Sequence, residues 1–277
     1  MKIKIAVVQF KIAQLDPQKN YQRLEQFVKK AQAKKAQIVV FPEDCISGSI
    51  EDCATGEKNG FKKWLDTDGQ TKKFFQGLAV KYNIDIVSGS NTELVGKKIF
   101  NTTYYIDSQG KILGQYRKNH LYKTERSFIT AGNKTSVFKT AWGKVGLAIC
   151  WDITFADIFK KMSKAGVKMI FCPSYWWRGI SEDAYTLNRR YQEKAIDALC
   201  LTRAFETKSV FVYANAAGKA VYKNKTSDVL IGHSQITMPI LGVVKKLNHN
   251  WESMFIQEVD LGLLDKAKKI FHNKKRG

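Results

Sequence analysis

Short apolar runs alternate along this chain with longer stretches in which apolar positions recur every three or four residues. Ile3, Ile5 and Val7 alternate ahead of Gln9 and predict a buried strand over 3–10. From Asn20 to Ala36 the residues Tyr21, Leu24, Val28 and Ala31 share one helical face, with lysines on the other. The β-branched run Ile38-Val39-Val40-Phe41 predicts a second strand, stopped by Pro42. A helix near Thr71–Lys81 and a strand at Ile84–Ser88 follow. Residues 98–107 and 111–117 read as a hairpin turning at Ser108-Gln109-Gly110, and Ser136–Thr140 pairs with Lys144–Cys150 around Trp142-Gly143.

The second half repeats the rhythm. A helix is expected at about 155–165, a strand at 167–172 and a long helix at about 183–206, where Leu187, Tyr191, Ala195, Ala198 and Thr202 keep helical intervals. Strands at 209–214, 231–237, 241–247 and 254–260 complete the pattern. Strands outnumber helices, yet helices recur between them, which fits a layered α/β sandwich better than a plain parallel sheet or an all-β barrel.

Composition narrows the class. With 277 residues, 44% of them hydrophobic, the chain can bury a sizeable core and is unlike disordered sequences. No repeat and no Pro/Gly/Ser-rich linker interrupts it, so a single domain over 1–277 is expected. The apolar run at the start is too short and too charged for a signal-peptide core, and other runs fall short of the ~20 residues that span a bilayer. Five cysteines, none in a Cys-x-x-Cys pair, point to free thiols in a reducing cytoplasm rather than a disulfide framework. Four scattered histidines lack zinc-ligand spacing. The net charge of +21 comes from 38 lysines and only eight arginines, spread along the chain. Without the modules of nucleic-acid readers, this reads as a lysine-coated surface, and no specific nucleic-acid partner is expected.

Three segments place a reactive side chain at or just after a predicted strand: Phe41-Pro42-Glu43, Tyr116-Arg117-Lys118, and Leu147-Ala148-Ile149-Cys150-Trp151-Asp152. Taken singly, each residue has a plain reading: Cys150 as a small buried hydrophobe, Lys118 and Glu43 as solvated charges. Together they are the types that thiol catalysis needs. A thiolate attacks carbonyl or nitrile carbon, an ammonium lowers the thiol pKa and holds an oxyanion, and a carboxylate moves the protons.

The order and spacing of Phe-Pro-Glu, then Arg-Lys-x-His-Leu, then Gly-x-x-x-Cys-Trp-Asp resembles the Glu–Lys–Cys signature of the nitrilase (carbon–nitrogen hydrolase) superfamily. Further segments are similar: Ala6-Val7-Val8-Gln9, Asn101-Thr102 with Gly110, Glu125 with Phe128 and Gly132, and Cys172-Pro173-Ser174-Tyr175-Trp176. Later ones are Arg203-Ala204-Phe205-Glu206, Tyr213-Ala214-Asn215, and Gly232-His233-Ser234-Gln235-Ile236 with Pro239. The likeness thus covers about residues 3–260.

The resemblance implies a four-layer α-β-β-α sandwich that needs no metal or organic cofactor and pairs into a homodimer or higher homo-oligomer. It implies Cys150 as nucleophile, Glu43 as general base and acid, and Lys118 with the Trp151 backbone N–H as oxyanion holders. Glu125 would be a supporting carboxylate near Lys118 or the substrate. The small-molecule substrate would be an amide, omega-amide or N-carbamoyl compound, and Asp152 after Cys150-Trp151 favours amide over nitrile. A nitrilase, a thioester acyltransferase and a catalytically idle basic binding protein are the alternatives. Phe155-Ala156-Asp157 lacks the proline common among relatives, which alters loop stiffness more than chemistry.

Around this centre, Tyr175, Trp176 and Trp177 form either an aromatic wall for the acyl group, Trp176 first among them, or a core or dimer contact. Arg178 either pairs with a substrate carboxylate or sits in an exposed loop. His120 and His233 are expected to be packed structural histidines, and Cys45 and Cys172 structural thiols. Specificity is expected from loops around 45–60, 122–130 and 175–186.

Overall fold

The computed structural model describes residues 1–50, 60–180, 182–222 and 225–271; the remainder of the first specificity loop, 51–59, lies outside them. In chain order the first half contains β1 (Lys2–Gln9), α1 (Pro17–Ala33), β2 (Ile38–Val40), α2 (Gln70–Tyr82), β3 (Asp85–Val87), β4 (Asn91–Val95), β5 (Lys98–Ile106) and β6 (Ile112–Arg117). There follow β7 (Ser136–Thr140), β8 (Gly143–Leu147), α3 (Ala156–Ala165), β9 (Met169–Ser174), α4 (Glu182–Leu187) and α5 (Tyr191–Thr207). The chain continues through β10 (Val210–Asn215), β11 (Lys219–Tyr222), β12 (Lys225–Val229), β13 (Gln235–Met238), β14 (Gly242–Lys246), β15 (Ser253–Asp260) and α6 (Gly262–Phe271).

Alternation along β1 sorts its side chains between two apolar clusters. Ala6 and Val8 join Val39, Ile86, Tyr104 and Ile106 against Leu24, Phe27 and Val28 of α1 and Phe75 and Leu78 of α2. Ile3, Ile5 and Val7 instead join Ile38, Val40, Val87 and Tyr105, facing Val145, Leu147, Phe171 and Tyr213. One sheet runs β15-β1-β2-β3-β5-β4 with β6 on the free edge of β5, and the other runs β14-β13-β10-β9-β8-β7. Ile158, Phe159 and Met162 of α3 and Ile196, Cys200 and Ala204 of α5 cover the second sheet. The layers are therefore α-β-β-α, the fold the resemblance implies. Strands with apolar partners on both faces are what this stacking demands. Among the described residues no helix is long and apolar enough to cross a membrane.

Local chemistry sets the element ends. Asp16 Oδ1 accepts from the Lys19 N–H at 3.1 Å, and Pro17 opens α1, three residues before the expected start at Asn20. The helix expected over 183–206 is split into α4 and α5, because Asn188 accepts from Arg190 N–H through its side chain and from Tyr191 N–H through its carbonyl. Strand β8 stops at Leu147, so Cys150 lies beyond the strand rather than at its end. β4, absent from the sequence reading, is polar yet buried: Glu93 accepts from Thr102 Oγ1 at 2.8 Å and from Tyr104 Oη at 2.6 Å. Helix α6 was also unexpected.

Candidate active site

Each chemical side chain lies just beyond the end of a strand. Phe41 N–H still donates to Val87 O at 3.1 Å, but Pro42 has no N–H to give, and the chain turns at Glu43. Gly89 lets the β3 continuation pass close to this turn, since a Cβ there would stand 2.1 Å from Pro42 O, and its φ is +68°. Lys118 follows β6, its N–H donating to Asn101 O at 2.9 Å and its carbonyl accepting from Gly132 N–H at 2.8 Å. Cys150 opens a 3-10 turn, Cys150–Thr154, with φ +45°. A left-handed non-glycine residue of this kind costs on the order of 1–3 kcal/mol and must be held by its surroundings.

The Asp152 carboxylate, fully buried, supplies that hold. Its Oδ2 accepts from Ile149 N–H at 2.9 Å and from Tyr116 Oη at 2.9 Å. Its Oδ1 accepts from His120 N–H at 3.0 Å and contacts His120 Nδ1 at 2.8 Å. One carboxylate thus fastens the Cys150 turn to the segment carrying Lys118.

Lys118, Glu43 and Glu125 form a buried polar knot. Lys118 Nζ lies 2.9 Å from Glu43 Oε1 and 2.8 Å from Glu125 Oε1. Asn101 Nδ2 donates to the same two oxygens at 2.9 and 3.3 Å. Tyr175 N–H donates to Glu43 Oε2 at 2.9 Å, and Tyr122 N–H to Glu125 Oε2 at 2.6 Å. Burial opposes the Lys118 charge, but Glu125 and Glu43 outweigh it and hold the ammonium well above the ordinary lysine range. Burial first, and then the Glu43 charge, push the Cys150 thiol well above the ordinary cysteine value, while Lys118 pulls it down. The net direction is opposite to the lowering expected from an ammonium alone, and the resting thiol keeps its proton at neutral pH.

These groups line a cavity of about 280 Å³. Glu43, Lys118, Glu125, Cys150, Trp151, Tyr175 and Trp176 all contribute to its wall. Trp151 stacks on Trp176 with ring centroids 5.3 Å apart, and Tyr122 sets its edge 5.0 Å from both Trp151 and Trp177. Trp176 Nε1 donates to Gln192 Oε1 at 3.0 Å, and its N–H to Asn215 Oδ1 at 2.8 Å, which fixes the wall. Arg178 is not brought in; its Nε stands 3.4 Å from the buried Glu193 carboxylate, outside the cavity wall.

His120 stacks on Phe155 at 3.9 Å between Asp152 and Asp157, and His233 lies 3.5 Å from Asp197; neither lines the cavity. Cys45 donates toward Ser88 O at 3.4 Å, and Cys172 lies 3.7 Å from Ser174 Oγ; burial pushes both thiols up. Trp177, expected with its two neighbours as either wall or core, lines the cavity, and Asn101 and Tyr122 belong to the site although the sequence reading gave them no role there. Asn101 was visible only as a hairpin landmark, and Tyr122 follows a motif residue without any periodic signal. Among the described residues no group of three His, Cys, Asp or Glu is placed to hold a metal ion.

The family model for carbon–nitrogen hydrolases matches residues 4–269. A probable nitrilase of Schizosaccharomyces pombe is 30% identical over 279 residues, covering 99% of this chain and 93% of the relative. The 2-oxoglutaramate amidase of Bacillus subtilis is 27% identical over 267 residues, 94% of this chain and 92% of the relative. The solved carbon–nitrogen hydrolase of Helicobacter pylori G27 superposes with a TM-score of 0.87 at 20% identity, covering 99% of this chain and 96% of that one. At that identity the likeness is one of fold.

Proposed function

The chain belongs to the carbon–nitrogen hydrolase family, and from that premise we propose that it hydrolyses a small amide, omega-amide or N-carbamoyl compound through a thioester on Cys150. The observation that carries this reading is the burial of a carboxylate, an ammonium and a thiol in the wall of one small cavity. Because the resting thiol is protonated, attack requires a base, and Glu43 is the carboxylate whose charge the thiol feels most. Glu43 takes the Cys150 proton as sulfur bonds to the carbonyl carbon. Lys118 Nζ and the Trp151 N–H hold the oxyanion. The tetrahedral intermediate collapses, the C–N bond breaks, and Glu43 returns the proton to the departing amine. Glu43 then takes a proton from water, whose oxygen attacks the thioester and releases the acid and the thiol. Glu125 and Asn101 position Lys118 and Glu43. Tyr175 and Trp176, with Trp151, shape the space for the acyl group.

Asp152 and the likeness to a 2-oxoglutaramate amidase support amide chemistry; the likeness to a probable nitrilase supports nitrile hydrolysis as the second reading. Ammonia release from separate pools of amides, omega-amides, N-carbamoyl amines and nitriles, run beside Cys150→Ala, separates them. Release from an amide pool by the parent protein alone is the expected result, and release from nitriles alone would replace the reading. The chain is further proposed to act as a single domain in a reducing cytoplasm. It is proposed to pair through Leu201, Phe205, Ile240 and Leu241, which are apolar and exposed. Light scattering in solution tests the dimer.

A further inference from the structure

Alternation along β6 turns Arg117 away from the face that carries Tyr116 and Lys118. Arg117 lines a second cavity, of about 610 Å³, along the free edge of the first sheet. Its guanidinium carbon lies 3.9 Å from the centroid of the Phe100 ring, so the fork is held in place by stacking. Its Nε is buried without a partner, and among the described residues its side chain donates no hydrogen bond. The nearest carboxylate, Glu93, is 4.0 Å away, and its oxygens already accept from Thr102 and Tyr104. Arg23 and Arg203, both more buried than Arg117, each donate to a carboxylate and to a backbone carbonyl. The Arg117 side chain is 34% exposed, so its outer guanidinium nitrogens, pre-oriented by the stacking, face the open cavity with no hydrogen-bond acceptor among the described residues.

The rest of the wall has the matching charge. Lys98 and Lys134 line the cavity, no Asp or Glu does, and among the described residues neither lysine pairs with a carboxylate. The Thr135 hydroxyl, also in the wall, is buried without a partner. We infer that this cavity binds a small oxyanion, a phosphate or carboxylate group, with Arg117 as its bidentate anchor and Lys98 and Lys134 as counter-charges. The site is separate from the Cys150 cavity and stands whether or not the hydrolase reading does.

Titration calorimetry at physiological ionic strength, with inorganic phosphate and with succinate in separate arms, tests it. The expected result is saturable one-to-one binding of at least one anion. Arg117→Gln should weaken it about tenfold or more, as should the Lys98→Gln/Lys134→Gln double variant, since charge-assisted hydrogen bonds are lost. The double variant leaves the stacked Arg117 in place and guards against misfolding of the first. Removing the same charge elsewhere, by Lys160→Gln/Lys194→Gln on α3 and α5, should leave binding unchanged. A response to phosphate alone identifies a phosphoryl ligand, and one to succinate alone a carboxylate. Absence of saturable binding in both arms, binding indifferent to Arg117, or equal weakening by the Lys160/Lys194 variant would overturn the inference.

Discussion

Replacing Lys118 by methionine removes one charge and leaves the shape of the knot nearly unchanged. What remains is two buried carboxylates, Glu43 and Glu125, whose Oε1 atoms had shared that ammonium at 2.9 and 2.8 Å. Breaking a buried pair in this way costs about 3–5 kcal/mol, because the charges left behind are neither solvated nor paired. The pH dependence separates this cause from lost packing. In the parent protein the raised Lys118 value contributes stability that is complete below the unfolded lysine pKa, about 10.4, and is lost only as pH climbs through the folded value. In Lys118→Met the facing carboxylates are raised instead, above their unfolded value of about 4.3. Their folded form is therefore favoured at low pH and disfavoured as pH rises. Urea unfolding of both proteins at pH 8 and pH 5.5 should show a deficit near the full cost at pH 8 and a smaller one at pH 5.5. Turnover should fall by ~10²–10³ at either pH if the ammonium holds the oxyanion. A deficit of the same size at both pH values, or a variant that keeps parent turnover, would refute the argument.

Three further outcomes follow from the same geometry. Since burial and then Glu43 raise the Cys150 thiol, iodoacetamide should label it slowly at pH 7 and faster toward pH 9. Glu43→Gln should label faster than the parent at pH 7 while losing turnover, as read by intact mass against Cys150→Ala. Asn101→Ala should cost about 1–3 kcal/mol in urea unfolding, because its amide joins Glu43 to Glu125, and should lower kcat more than it changes KM. His120→Ala should leave turnover within an order of magnitude. The hydrogen bond to Asp152 raises the His120 value, so its stabilisation is complete below the ordinary histidine pKa and lost as pH rises through the raised one. That variant should lose more stability at pH 6 than at pH 9.

The layers were legible because both sheets obey period two. Ile3, Ile5 and Val7 against Ala6 and Val8 already separate the inter-sheet face from the helical face, and the structure fills both. What escaped were features set by hydrogen bonds rather than by apolar spacing. Asn188 breaks a helix whose apolar rhythm runs straight through it from Leu187 to Tyr191. β4 reads as a polar loop until Thr102 and Tyr104 are seen to satisfy Glu93. The end of β8 at Leu147 and the left-handed Cys150 depend on Asp152, whose four contacts come from residues up to 36 positions away.

The candidate site divides in the same way. Its residue types and their order stood in three short segments, but the convergence of positions 43, 118 and 150 needs the tertiary fold. Glu125 was readable only through the resemblance, and Asn101 as a bridge between two carboxylates was not readable at all. Arg178 had the right chemistry for a substrate carboxylate; the buried Glu193 beside it, fifteen positions on, turns it elsewhere. The Lys118 charge does lower the thiol pKa as its chemistry implies, but burial and Glu43, which no sequence spacing reveals, outweigh it.

The most direct test of the proposed chemistry is intact-mass spectrometry of the protein quenched in acid during turnover of a responding amide. A thioester route requires a transient adduct equal to the substrate mass less ammonia, located on Cys150 by digestion and absent from Cys150→Ala. Ammonia release that continues undiminished in Cys150→Ala, with no adduct on the parent, would contradict it.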